Sequence, residues 1–201
     1  DYTCKKLKVT AGTPLYLKGH VDNKNGNIGQ FLMEGDNISC TGDIESLLRY
    51  GIEQLPENCF SGMFKDCTQL TSAPNISMAQ NMQSCFEMFS GCTNLGGNIV
   101  LNSSHIAARC YAGMFKDTKI TSIKLPVVNA DEEDLDNCYK EMLQGCYNLN
   151  RIEVYLITRG KFNLEKDATH QWVGKLRVPH DKSYTAEWLV PTSGTFIMNS
   201  N

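Results

Sequence analysis

Apolar residues along this chain follow a pattern that comes round four times. In residues 59–67 (CFSGMFKDC), Cys59, Phe60, Met63, Phe64 and Cys67 fall at i, i+1, i+4, i+5 and i+8, with small or polar residues between them. That spacing places them on one face of a helix and predicts one or two helical turns. From Leu70 the rhythm changes. Ile120, Ile123 and Leu125, and again Leu149, Ile152 and Val154, follow the L-x-x-L-x-L arrangement of a short strand that points alternate side chains inward. Each unit therefore reads as a helical segment, a tight bend near the second Cys, and a strand.

The second copy runs from Cys85 to Leu95 (CFEMFSGCTNL), the third from Cys110 to Ile120 (CYAGMFKDTKI) and the fourth from Cys138 to Leu149 (CYKEMLQGCYNL). The pentapeptide Gly-Met-Phe-Lys-Asp recurs unchanged at 62–66 and 113–117. From Met to Met (63, 88, 114, 142) the steps are 25, 26 and 28 residues, a period at which each unit is one supersecondary element stacked on its neighbours. The expected fold class is α/β: a short leucine-rich-repeat-type solenoid of about four repeats over 47–157. It carries a β-rich N-terminal cap over 1–46 and an irregular C-terminal cap over 158–201, the whole being one structural unit. Two copies depart from the pattern. Copy two has one residue fewer between Cys85 and Met88 and a Gly96-Gly97 pair at the strand start, so its strand is bulged or shifted by one. In copy three either Thr118 fills the second Cys slot or that slot is deleted.

In the first cap, Lys6 to Thr10, Pro14 to Lys18 and Ile28 to Met33 read as strands between turn signals. Asp43 is placed to N-cap a helix through Ile44, Leu47, Leu48 and Tyr50, which Gly51 stops. The acidic run Asp131-Glu132-Glu133-Asp134 reads as a solvated helix start before copy four. Beyond 158 the chain is polar, with one further strand expected at Leu176-Arg177-Val178-Pro179. Trp172 and Trp188 are expected to cover the last repeat.

Charge and cysteine content narrow the function classes. With 19 basic against 22 acidic residues among 201, net −3, the chain lacks the positive field that nucleic acid requires. No apolar run reaches the roughly 20 residues that span a bilayer. The sequence starts at Asp1 without an initiator Met, which leaves room for a removed export signal or anchor. Seven of the nine Cys sit inside the repeats. Two Cys eight residues apart on a helix are about 12 Å apart along its axis, beyond the roughly 7 Å that a disulfide bridges. Cys59 should not pair with Cys67, nor Cys138 with Cys146, and the repeat cysteines read as small buried apolar side chains. Cys4 and Cys40 are the one pair to consider for a disulfide. No Cys-x-x-Cys occurs, and no metal or cofactor is expected.

These residues resemble the BspA-like leucine-rich-repeat surface proteins of anaerobic gut bacteria. The resemblance lies in the lead-in Gly42-Asp43-Ile44-Glu45-Ser46-Leu47-Leu48, the units of Cys-Tyr/Phe, Met-Phe and Gly/Asp-Cys-Thr with Leu, and the tail from Trp188 to Phe196 with its Gly-Thr-Phe. It spans about residues 9 to 197. It implies an exported protein, at the bacterial cell surface, held as an outer-membrane lipoprotein or secreted, which binds extracellular protein or glycan.

Counting two and four residues on from the opening Leu or Ile of each strand gives an outward set. It comprises Ser72 and Pro74, Gly97 and Ile99, Ser122 and Lys124, and Arg151 and Glu153. Ile99 is the misfit, and a one-residue shift would turn it inward. The leading expectation is a non-enzymatic adhesion module that binds through Ser72, Ser122, Lys124, Arg151 and Glu153. A second reading is carbohydrate recognition by stacking on Trp172, Tyr184 and Trp188. A third is a cysteine-dependent enzyme built on Cys110 and His105, against which stand the absence of Gly-x-Ser-x-Gly and His-Glu-x-x-His and the interior place of Cys110.

Overall fold

The computed structural model describes residues 10–17, 27–48, 51–128, 138–156, 161–166, 172–177, 188–190 and 195–200, with residues 127–128 and those beyond Glu153 given as backbone alone. Its elements in chain order are β1 (Ile38–Ser39), a 3-10 turn (Ile44–Leu47), β2 (Leu70–Ser72), β3 (Gly96–Val100), β4 (Lys119–Val128), β5 (Arg151–Leu156), β6 (Lys161–Lys166), β7 (Trp172–Arg177), β8 (Trp188–Val190) and β9 (Thr195–Ser200).

The α/β solenoid expectation is overturned. Among the described residues there is no α-helix, and the strands form two small parallel sheets and one antiparallel sheet instead of one continuous coil face. β1 pairs with β2, and β3-β4-β5-β9 form the second parallel sheet; β6-β7-β8 are the antiparallel one.

In place of each helix stands a run of overlapping turns. In the first copy the N–H groups of Ser61, Met63, Lys65 and Cys67 donate to the carbonyls three residues back. The intervening N–H groups of Phe60, Gly62, Phe64 and Asp66 leave the repeat and reach Ser84, Phe86, Met88 and Ser90 at 2.8–2.9 Å. The second copy bonds to the third in the same way, through Cys85, Glu87, Phe89 and Gly91, and the third to the fourth through Tyr111, Gly113, Phe115 and Asp117. Each turn run is thus a rung, with half its donors closing turns and half joining it to the next. The conformation that makes this possible recurs every fourth residue: Asn58, Asp66 and Gly62 have φ of 56°, 60° and 63°. Such a residue in third place of a turn gives a type II turn and forbids a helix. An apolar period of four fits both structures over this length, which is why the spacing pointed to a helix.

The rungs align their side chains into columns that form the core. Met63, Met88, Met114 and Met142 are fully buried. Phe31, Phe64, Phe89 and Phe115 stack face to face with ring centroids 5.2, 5.3 and 5.5 Å apart, and Tyr111 stacks on Tyr139 at 5.9 Å. The bonding register shows that copy two lacks nothing: Ser84 occupies the slot of Cys59 and Cys110, and Cys85 the slot of Phe60 and Tyr111. Thr118 fills the second Cys slot of copy three, with its hydroxyl donating to the Phe115 carbonyl at 2.8 Å, and the bend after it is one residue shorter.

The caps also differ from expectation. Residues 28–33 form no strand. They make a shortened rung, with Ile28 and Phe31 donating to Cys59 and Met63, while the side-chain amides of Asn27 and Gln30 reach the Ser61 and Lys65 carbonyls. Asp43 does cap, accepting from the Glu45 N–H at 2.9 Å, but the element is a single 3-10 turn ended at Leu48. Glu45 is buried and takes the N–H groups of Ser77 and Met78 and the Ser77 hydroxyl; burial raises its pKa despite those donors. Leu176 and Arg177 end β7, an antiparallel strand, and the further parallel strand is β9, beside β5. Lys6 to Val9, Tyr50, the acidic run at 131–134 and Cys4 lie outside the described residues. Cys40 is a thiol.

Candidate functional site

Parallel pairing brings four of the five predicted binding residues, Ser122, Lys124, Arg151 and Glu153, onto one sheet. In the sheet β3-β4-β5-β9, Asn98 stands opposite Ser122 and Ser122 opposite Arg151, while Val100 stands opposite Lys124 and Lys124 opposite Glu153. Two rows of side chains therefore cross the strands at the inter-strand spacing of about 4.8 Å. Ser122 Oγ donates to Asn98 Oδ1 at 2.8 Å, and Thr121 Oγ1 donates within 3.2 Å of the same oxygen. Arg151 Nη2 sits 2.5 Å from Glu153 Oε1, so this charge pair is neutralised along its own strand. Lys124 is half-buried.

Ser72 belongs elsewhere. It lies in the separate sheet β1-β2, where its hydroxyl is 2.7 Å from Ser39 Oγ and donates to the Cys40 carbonyl at 2.9 Å. Pro74, expected outward, is buried. The register slips between Gly97 and Asn98, so that Ile99 pairs with inward-facing Ile123 and packs on the core. Asn98 and Val100 consequently take the outward positions in copy two. Spacing alone missed them; the Gly96-Gly97 pair was the available signal, since a glycine in a strand often marks a bulge.

The other candidate groups do not converge. Trp172 and Trp188 are placed by backbone only, on neighbouring antiparallel strands where Trp172 pairs with Val190 and Gly174 with Trp188; their side chains and the whole of Tyr184 lie outside the described residues. Cys110 is fully buried within the rungs, and the thiols around it are poor nucleophiles. Burial pushes Cys59 and Cys92 up to about 12 and Cys146 to about 11, and raises Cys85 well above the ordinary thiol range. Among the described residues no group of three or more His, Cys, Asp or Glu is gathered as a metal would need, and no helix is long and apolar enough to cross a membrane.

No protein-family model, curated protein or solved structure matches this chain.

Proposed function

We propose that this protein is a non-enzymatic binding and adhesion module, exported to the bacterial cell surface, that meets an extracellular protein or glycan with the outer face of its parallel strands. The observation that carries the reading is the pair of side-chain rows, Asn98–Ser122–Arg151 and Val100–Lys124–Glu153, in register on one face. Such a face suits extended contact of moderate affinity better than a deep small-molecule pocket. The raised pKa values of Cys59, Cys85, Cys92 and Cys146 favour packing over nucleophilic catalysis. Export and surface location rest on the resemblance to BspA-like proteins.

The test is a solid-phase binding screen of the full chain against extracellular-matrix proteins and host glycans, repeated with Ser122→Glu and Arg151→Glu. Loss of the captured ligand by these two, with unchanged melting, is the expected result. Retention of every ligand by the double variant would remove the strand face from consideration.

A further inference from the structure

We infer that this chain pairs with a second copy of itself through its N-terminal end, each copy laying residues 14–17 over the open end of the other's core. The inference stands apart from the strand face and uses none of its residues.

A stacked core is covered rung by rung, and its terminal rung shows an apolar face unless something caps it. The first described rung, 28–33, has no described rung before it. Its Ile28, Phe31 and Met33 are only partly buried, as is Ile38 in β1, whereas Phe64, Phe89 and Phe115 further along the stack are fully buried. Phe31 stacks on Phe64 at 5.2 Å, and among the described residues no ring lies on its other face. Leu32 beside it is 78% exposed. Among the described strands β1 has β2 as its one neighbour, so its outer edge is open as well. An apolar end with an open strand edge is a surface that an added strand completes.

The same chain carries such a strand. Residues 10–17 are exposed throughout, and Leu15, Tyr16 and Leu17 are three large apolar side chains in a row, with Tyr16 86% exposed. The backbone hydrogen bond in this stretch closes a turn, from the Thr13 N–H to the Thr10 carbonyl, and among the described residues the backbone of 14–17 has no partner. In extended form Leu15 and Leu17 face one way and Tyr16 the other, which puts two leucines on the end of a core and the ring at its margin. Charge selects the partner. One-fifth of the chain is charged, yet neither 10–17 nor 27–33 contains a charged residue, and Lys18 and Glu34 bound them. Depletion of charge marks the centre of an interface. Both open surfaces belong to one chain, so a second copy offers each of them its complement, and a two-fold axis satisfies both exchanges at once. Nine residues, 18–26, join the arm to the rung, a tether of roughly 30 Å at full extension, long enough to cross to a second molecule.

Sedimentation equilibrium of the full chain over a range of concentrations tests this, and it should show a reversible dimer. Leu15→Glu should raise the dissociation constant about tenfold or more, since it sets a charge on the apolar end. Tyr147→Glu, which changes an exposed ring in the fourth copy, should leave it as in the parent. A second measurement needs no variant: in a mixture of isotope-labelled and unlabelled parent chains, filtered NMR spectra should show NOEs between the Leu15 and Leu17 methyls of one chain and the Phe31 ring of another. A chain that stays monomeric at every concentration would overturn the inference. So would a dimer indifferent to Leu15→Glu, or NOEs from these methyls to Phe31 that arise within single chains alone.

Discussion

Cys67, Cys92 and Cys146 each give their S–H to the carbonyl of the phenylalanine one rung earlier, Phe31, Phe64 and Phe115, at 3.2, 2.9 and 3.0 Å. A thiol is small, apolar enough for a packed column, and still able to satisfy an acceptor weakly. Thr118 instead gives its hydroxyl to the Phe115 carbonyl of its own rung at 2.8 Å, which satisfies the group inside the core and lets this slot admit threonine. The cost of burying the charged form keeps these thiols protonated. A folded-state pKa raised to about 12 for Cys92 and about 11 for Cys146, from an ordinary 9.0, stabilises the fold fully below pH 9. That contribution is lost as pH rises through the folded-state values, because the unfolded chain releases its protons first. Urea midpoints should accordingly be flat from pH 7 to 8.5 and fall steeply above 9. An alkylating reagent at pH 7.5 should leave these cysteines unmodified until the chain unfolds. Rapid labelling of Cys92 in the native protein would refute the packing assignment.

Between rungs, the left-handed positions obey a rule that the pentapeptide repeat already carries. One column reads Gly62, Glu87, Gly113, Glu141 and its neighbour Asp66, Gly91, Asp117, Gly145. Glycine and carboxylate alternate along both columns. A Cβ on Gly91 would collide with the Asp66 carboxylate, one on Gly145 with that of Asp117, and one on Gly113 would come within 3.0 Å of Glu87 Cγ. Each acid therefore needs a glycine on the following rung. The glutamates, in a backbone conformation unfavourable to them, are held by Lys65–Glu87 and Lys116–Glu141 at 2.6 and 3.3 Å. Gly-Met-Phe-Lys-Asp thus returns at every second rung. Gly91→Asp should destabilise by about 2–4 kcal/mol, from the clash and the like charge, and Asp66→Gly in the same chain should recover a large part of that loss. A double variant no more stable than Gly91→Asp alone, measured by urea unfolding, would contradict the rule. Here the sequence was half legible. The apolar period located the buried Met, Phe and Cys positions of the turn runs, but four-residue turns and a 3.6-residue helix coincide over two turns. The distinction lay in the polar positions, where Asn58, Gly62 and Asp66 are turn formers spaced by four.

Across the whole molecule, the buried Met, Phe and Cys columns and the inward Ile120, Ile123, Leu125, Leu149 and Ile152 were readable because each follows from periodicity. Continuity was not. The sheet breaks between β2 and β3, and the strand that extends it at the far end, β9, comes from the chain's last residues instead of from a neighbouring repeat. Neither feature has a local signature, since pairing partners far apart in sequence are chosen by packing. The same limit split the predicted site: Ser122, Lys124, Arg151 and Glu153 share one sheet, while Ser72 lies in another. The central claim remains the rung itself, and scalar couplings across hydrogen bonds, measured by NMR on the isotope-labelled chain, report donor and acceptor directly. Correlations should run from the amides of Phe60, Gly62, Phe64 and Asp66 to the carbonyls of Ser84, Phe86, Met88 and Ser90. Correlations from each of those amides to the carbonyl four residues earlier in the same copy would show a helix there and contradict the account.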